Sequence, residues 1–181
     1  MSNNYIEEIG RKAKASAPFL AACGTDIKNR ALEEIARALE KNKGVVLEAN
    51  SKDVENAKKN GLSESMTERL TLNEKRISGM IEGIGQVMAL PDPVGEVLGG
   101  RTLPNGLSIV KKRVPMGVIG IIFESRPNVT VDAAALCFKA GSAVILRGGS
   151  DAINSNKALV GIMRGAVKAA GAPEDLSLIH I

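Results

Sequence analysis

Six consecutive residues without a polar side chain, Val118-Ile-Gly-Ile-Ile-Phe123, leave this chain few ways to fold. A strand apolar on both faces needs cover on both sides, which a parallel sheet flanked by helices supplies. The residues that follow repeat the demand. A helical stretch from Val131 to Ala140 closes on Gly141, and a second apolar strand runs from Ala143 to Leu146. A long helix then carries Ile153, Leu159, Ile162, Ala166 and Ala170 and stops at Gly171, and Leu176 to Ile181 reads as a third strand. The order β-α-β-α-β is the half-unit of a doubly wound, Rossmann-like parallel sheet with right-handed crossovers. The fold class is α/β.

Residues 1–90 have a different period. Ile6, Ile9, Ala13, Ala17 and Leu20 recur at helical spacing. Thr25 is placed to cap a second helix bearing Ile27, Ala31, Leu32, Ile35 and Leu39 and ending near Gly44. A third helix spans Val45 to Lys59 and stops at Gly61. Thr71-Leu-Asn-Glu74 has the form of a capping box, ahead of a stripe of Ile77, Met80, Ile81, Ile84 and Met88 that reads as core packing. Pro91-Asp-Pro-Val-Gly95 breaks the pattern. Residues 94–114 then form a β-hairpin arm around Pro104-Asn-Gly106, either a solvated arm or an interface element. Residues 115–181 hold the β-α-β-α-β unit, so the chain reads as one incomplete cofactor-binding domain.

Charge and composition narrow the function. The 24 basic and 20 acidic side chains are scattered along the chain, and aromatics are 2% of residues with no Trp. A nucleic-acid binder gathers its positive charge and adds stacking rings, so that class is not expected, whereas a small polyanionic ligand is compatible. Cys23 and Cys137 have neither CxxC nor disulfide spacing, which fits a reducing compartment. The start lacks the apolar core of a secretory signal, and no apolar run is long enough to span a bilayer, so the expected location is cytoplasmic. No metal-ligand cluster occurs. Cys137 sits in an Ala-rich helix and reads as a core residue, and His180, the only histidine, offers neither cysteine a partner.

In an open parallel sheet, ligands bind beyond the carboxyl ends of the strands. Two segments occupy that edge. Glu124-Ser-Arg-Pro-Asn128 gathers a carboxylate, a hydroxyl, a guanidinium and an amide. Asn128 can donate to a developing oxyanion without titrating, although the same residues also serve as turn and cap formers. Arg147-Gly-Gly-Ser150 joins the second strand to the long helix. There Gly148 and Gly149 would let a ligand approach the backbone, Ser150 could cap the helix, and Arg147 could pair with a phosphate such as the 2′-phosphate of NADP. A tight turn accounts for the same residues.

Read together, these segments resemble a known family. Val114-Pro-Met-Gly-Val-Ile-Gly-Ile-Ile-Phe-Glu-Ser-Arg-Pro-Asn-Val129 resembles the signature of γ-glutamyl phosphate reductases (glutamate-5-semialdehyde dehydrogenases). So does the stretch from Asp132-Ala-Ala-Ala-Leu-Cys137 through Gly141-Ser-Ala-Val-Ile-Leu-Arg-Gly-Gly-Ser150. Glu48-Ala-Asn50 with Asp53, Arg69-Leu70 and Leu90-Pro-Asp-Pro-Val-Gly95 match as well. The resemblance implies an aldehyde-dehydrogenase-like fold and NADPH-dependent reduction of L-glutamyl 5-phosphate to L-glutamate 5-semialdehyde with release of phosphate, in L-proline biosynthesis. The reaction would pass through a cysteine thiolate, a thioester and a thiohemiacetal. It implies NADP(H) as cofactor, glutamate 5-kinase as a partner, and a homo-oligomer when complete, the Asn105-Gly106 hairpin resembling the superfamily's oligomerisation arm. By position, Asn128 corresponds to the oxyanion-stabilising asparagine. Arg147, Gly148, Gly149 and Ser150 correspond to the stretch that meets the cofactor's adenosine ribose and phosphate. Glu124 and Arg126 match family-specific positions expected to hold substrate or loop geometry.

The sequence also departs from the family. Family members are more than twice as long, and their catalytic cysteine lies beyond residue 181, matched by neither Cys23 nor Cys137. After Asp175 the ending Leu-Ser-Leu-Ile-His-Ile181 looks unlike the family. The chain is therefore expected to be a truncated, inactive portion with poor solubility, because half a sheet leaves apolar faces uncovered. Two other readings are a non-catalytic NADP-binding module and a fragment of a general aldehyde dehydrogenase. The Glu-Ser-Arg-Pro-Asn loop argues against the latter, since general members carry an aromatic before the corresponding asparagine.

Overall fold

A computed structural model describes residues 3–173, 175 and 177–179, with side chains for 5–173 and 175. His180 and residues 176 and 181 of the expected third strand lie outside the described residues.

Five helices come first: α1 (Asn3–Ala22), α2 (Thr25–Lys41), α3 (Lys43–Lys59), α4 (Glu64–Leu70) and α5 (Glu74–Ala89). Ile9, Ala13, Ala17 and Leu20 of α1 are buried as their spacing predicts, but Ile6 is exposed. The Met/Ile stripe of α5 is core, with Ile77, Met80 and Ile84 buried. Two expected caps are different. Thr25 is the first residue of α2 behind Gly24 at the cap, and its hydroxyl donates to Asp92 Oδ2 at 3.1 Å. In place of a box built on Thr71, Asn73 caps α5, its Oδ1 accepting from Arg76 N at 2.9 Å, while the Thr71 hydroxyl donates to Thr67 O. Because α5 begins at Glu74, the cap position falls on Asn73, and Thr71 stands outside the helix.

Asp92, in the Pro-rich break, is tied down from three sides. The fully buried ammonium of Lys28 donates to both carboxylate oxygens at 3.0 and 2.9 Å, and Val94 N donates to Oδ1 at 3.0 Å. With the bond from Thr25, this fixes where the hairpin leaves the body. Its strands β1 (Val97–Thr102) and β2 (Ser108–Lys112) pair antiparallel, and every residue in both is exposed. Gly106, at φ +86°, takes the left-handed position that closes the turn after Pro104 and Asn105.

The second sheet has β3 (Val118–Ile122), β4 (Ala143–Arg147) and β5 (Ser177–Ile179), all parallel, in the order β3-β4-β5. Between them run α6 (Pro127–Lys139) and α7 (Ile153–Ala169). β4 is the buried strand, with Ala143, Val144 and Leu146 in the core. β3 is not, contrary to its apolar run: it lies at the sheet edge, and Ile122 is 81% exposed. Among the described residues nothing pairs with its free side, so a strand composed for cover on both faces lacks part of it. One core cluster joins α1, α2, α5, α6, α7 and β4. Residues such as Leu20, Leu32, Ile84, Leu146 and Leu159 are all but inaccessible, and each such side chain contributes roughly 1.5–3 kcal/mol of burial.

A polar seam locks the helical layer onto the sheet unit. Asp53 of α3, 1% exposed, accepts from the backbone N–H of Asn154 and Ser155 at 3.1 and 2.7 Å. It also accepts from their side chains at 2.8 and 2.6 Å. Asn50, one turn earlier, donates to Leu70 O and Ser155 Oγ and accepts from Leu72 N. Ser150 therefore does not cap the long helix. It opens a 3-10 turn through Ala152, and the orphan amides at the start of α7 are met by Asp53, across the domain.

Candidate functional site

β3 and β4 end side by side, Ile122 opposite Arg147, and Phe123 N donates to Arg147 O at 3.0 Å. The segments leaving them touch: Ser125 Oγ donates to Asp151 Oδ2 at 3.1 Å, and a side-chain carbon on Gly149 would lie 2.4 Å from Ser125 Oγ. Glu124–Asn128 and Arg147–Ser150 thus share the carboxyl rim of the sheet.

On one side of that rim, Arg126 sits at the cap position of α6, Pro127 opens the helix, and Asn128 is in its first turn. The helix begins four residues before the expected Val131, because proline is preset for the first helical position and has no amide to leave unpaired. Asn128 is exposed, and its Nδ2 donates to Asp132 Oδ2, one turn on, at 3.3 Å, which leaves its second N–H available. Burial pushes the Asp132 carboxyl above its ordinary range, and the bond from Asn128 works the other way.

Asn128 and Asp132 face a cavity of about 420 Å³ whose other polar walls are Arg69, Arg76 and Arg126. Arg76 is engaged: it donates to the carbonyls of Glu68 and Thr71 and pairs with the Glu68 carboxylate. Arg69 and Arg126 make no ion pair or side-chain hydrogen bond with a described residue, and both are exposed. An adjoining cavity of about 410 Å³, lined by Leu62, Met66, Glu124 and Ser125, shares these two arginines as its wall. Arg76 carried no signal in the sequence as a site residue, and Asp132 appeared only within a family match, without a role. They come from α5 and from the interior of α6, and the packing of α5 against α6 gathers them. Arg69 was visible as a family match but without a role.

Arg147 stands apart. It borders an apolar cavity of about 400 Å³ with Ile6, Ile9, Ile121, Ile122 and Ile145, so it shares the rim with Asn128 but not the cavity. Its surroundings, and those of its neighbours, decide what a ligand would meet there. Arg147 and Ser150 are exposed at the strand end and fit an anionic or ribose contact beside an apolar floor. Gly148 and Gly149 are tightly packed on the side where a side chain would project. A side-chain carbon on Gly148 would lie 2.3 Å from Asn156 Nδ2 and 3.1 Å from the Phe123 ring, and one on Gly149 would meet Ser125. Both positions therefore require glycine for the packing of the rim segments against each other. At the amino end of α7, the N–H groups of Asn154 and Ser155 donate to the Asp53 carboxylate.

Cys23 and Cys137 are free and buried, and burial pushes both thiols up, which disfavours the nucleophilic thiolate. Among the described residues no group of His, Cys, Asp and Glu could hold a metal ion, and no helix is long and apolar enough to cross a membrane.

No protein-family model matches the chain. It is similar to a γ-glutamyl phosphate reductase from Carboxydothermus hydrogenoformans, 60% identical over 169 residues, which are 93% of this chain and 41% of the relative. It superimposes on the crystal structure of a γ-glutamyl phosphate reductase from Thermotoga maritima with a TM-score of 0.93 and 45% identity, over 96% of this chain and 42% of that one. A putative aldehyde dehydrogenase from Bacillus subtilis, 17% identical, aligns at a TM-score of 0.69 over 97% of this chain and 35% of that one, a likeness of fold alone. The architecture is thus α/β and aldehyde-dehydrogenase-like. The chain spans about two-fifths of the length of the curated relatives it matches.

Proposed function

Because this chain belongs to the γ-glutamyl phosphate reductase family over the residues it spans, we propose that it is the cofactor-facing portion of an enzyme that reduces L-glutamyl 5-phosphate to L-glutamate 5-semialdehyde with NADPH in proline biosynthesis. The observation that carries the reading is the shared rim, where Asn128 and Arg147 follow neighbouring parallel strands whose exit segments are joined by the Ser125–Asp151 bond. NADPH would supply the hydride. The free N–H of Asn128 would donate to the oxygen on which negative charge develops. Arg147, with Ser150, would hold the ribose-phosphate end of the cofactor, and Arg147 would read the 2′-phosphate. Glu124 and Arg126 would shape the substrate side of the rim. The nucleophilic cysteine would come from the part of the enzyme beyond this chain, since Cys23 and Cys137 are buried away from the rim cavities. The enzyme would be cytoplasmic, assemble through the exposed hairpin and receive its substrate from glutamate 5-kinase.

A graft tests the proposal. Residues 1–175 are joined to the downstream part of the Carboxydothermus hydrogenoformans relative, and the product is assayed in reverse, as reduction of NADP⁺ that requires both L-glutamate 5-semialdehyde and phosphate. The graft is expected to turn over and the 181-residue chain alone is not. A folded but inactive graft, or turnover by the chain alone, would overturn the reading. In an active graft, Arg147→Ala should weaken NADPH by roughly tenfold or more and NADH much less, because the substitution removes a charge-assisted hydrogen bond that only the 2′-phosphate can accept. Equal losses would remove Arg147 from 2′-phosphate recognition.

A further inference from the structure

We propose that Arg69 and Arg126 are the substrate's anion clamp: their guanidinium groups, on the wall between the two rim cavities, hold an oxyanion group of the substrate while Asn128 faces its reacting carbon. This rests on the function proposed above and assigns the substrate side of the same site. Three observations lead to it. First, Arg69, one residue before the end of α4, and Arg126, ahead of α6, come from segments 57 residues apart in sequence, yet border the same two cavities. Two cations brought together without an intervening anion repel each other, and a protein that wants only a stable surface spreads them apart. Second, neither is neutralised. Glu68 is taken by Arg76, Glu124 lines the second cavity without pairing with either, and Asp132 is held by Asn128 and pairs with neither arginine. The wall therefore presents two uncompensated planar forks, the geometry that suits carboxylate and phosphate oxygens. Third, the cavity bordered by Asn128 has a volume of about 420 Å³, within the usual size of small-metabolite sites.

A γ-glutamyl phosphate offers two such groups, the α-carboxylate and the phosphate, and both have the chemistry this wall recognises. Which one it holds is read from Michaelis constants. In the active graft, Arg69→Gln and Arg126→Gln should each raise one KM by roughly ten- to a hundredfold, with kcat within about threefold and the KM for NADP⁺ unmoved. A rise for phosphate identifies the phosphate group as the ligand, and a rise for the semialdehyde identifies the carboxylate. Arg69→Lys should recover part of the loss, because a lysine keeps the charge but not the fork. A KM change below twofold for both substrates, in variants with native circular dichroism, overturns the clamp.

A second arm works without catalysis. Inorganic phosphate is titrated against the 181-residue chain at constant ionic strength and followed by ³¹P line width. The native chain should broaden the signal, and the double Arg→Gln variant should not. Identical broadening by both also overturns the clamp. An inactive graft whose chain still binds phosphate through these arginines would sink the reductase reading alone.

Discussion

Asp53→Ala removes a single carboxylate and leaves four donors without an acceptor. Two of them, the backbone N–H and hydroxyl of Ser155, are fully enclosed, whereas the two from Asn154 are partly open to water. A buried donor left unpaired costs about 1–3 kcal/mol, and one that water can reach costs a fraction of that. The Ser155 hydroxyl can turn elsewhere, so the Ser155 amide dominates and the four together come to roughly 3–5 kcal/mol. That is a large part of the ~5–15 kcal/mol that holds a domain folded. Urea unfolding followed by far-UV circular dichroism at low protein concentration measures it. With a slope near ~2 kcal/mol per molar, the midpoint should fall by about 1.5–2.5 M. Asp53→Asn should lose at least half as much, since its amide nitrogen turns a donor toward donors. A midpoint shift below ~0.5 M at unchanged slope would mean that α7 is not held by this carboxylate. The exposed Lys52–Glu48 pair one turn away is the control, and Lys52→Ala should change stability by less than ~0.5 kcal/mol.

Three further outcomes rest on other parts of the fold. Burial is the largest influence on Asp92 and opposes its charge, but the hydrogen bonds from Lys28, Val94 and Thr25 outweigh it and hold its carboxyl below the usual range. The stability it supplies is therefore fully present above the unfolded value of about 3.9 and lost as pH falls through the lowered folded value. Hence the stability gap between the native chain and Asp92→Asn should close on acidification, and a gap constant from neutral pH to pH ~2 would contradict this. Gly149→Ala should destabilise by roughly 1–3 kcal/mol in a thermal melt, because its new carbon meets Ser125, whereas Gly165→Ala, with open space and helical backbone around it, should stabilise by ~0.5–1 kcal/mol. If both changes act alike, the close approach of the two rim segments is wrong. Finally, the free edge of β3 should make the chain self-associate, and Ile122→Lys, a charge on its most exposed apolar residue, should shift sedimentation toward monomer. No change in the association constant would place the self-association surface elsewhere.

Periodicity was enough to find α1, α2, α3 and α5, the hairpin and the β-α-β-α-β order, because each of those signals is local: a face of apolar residues, an Asn-Gly turn, an apolar run between glycines. The two-turn α4 is too short to show such a face and is not legible. Where a donor or acceptor found its partner far along the chain, local reasoning failed. Thr25 looks like a cap until Asp92, 67 residues on, takes its hydroxyl. Ser150 looks like the cap of the long helix until Asp53, about a hundred residues earlier, supplies it. Gly148 and Gly149 carry a packing demand that local sequence does not show, since Asn156, Phe123 and Ser125 crowd the side where a side chain would stand. The site divides in the same way. Glu124, Arg126, Asn128 and Arg147 could be named from their place after apolar strands, since a parallel sheet puts every strand's exit at one rim. Arg69 and Asp132, seen only within family matches, could not be given a role, because a helical arginine and a helical aspartate are ordinary surface residues until the fold brings them to one cavity. The β3 edge shows the converse. Val118–Phe123 is composed for a strand with cover on both faces, and the described residues supply it on one side only.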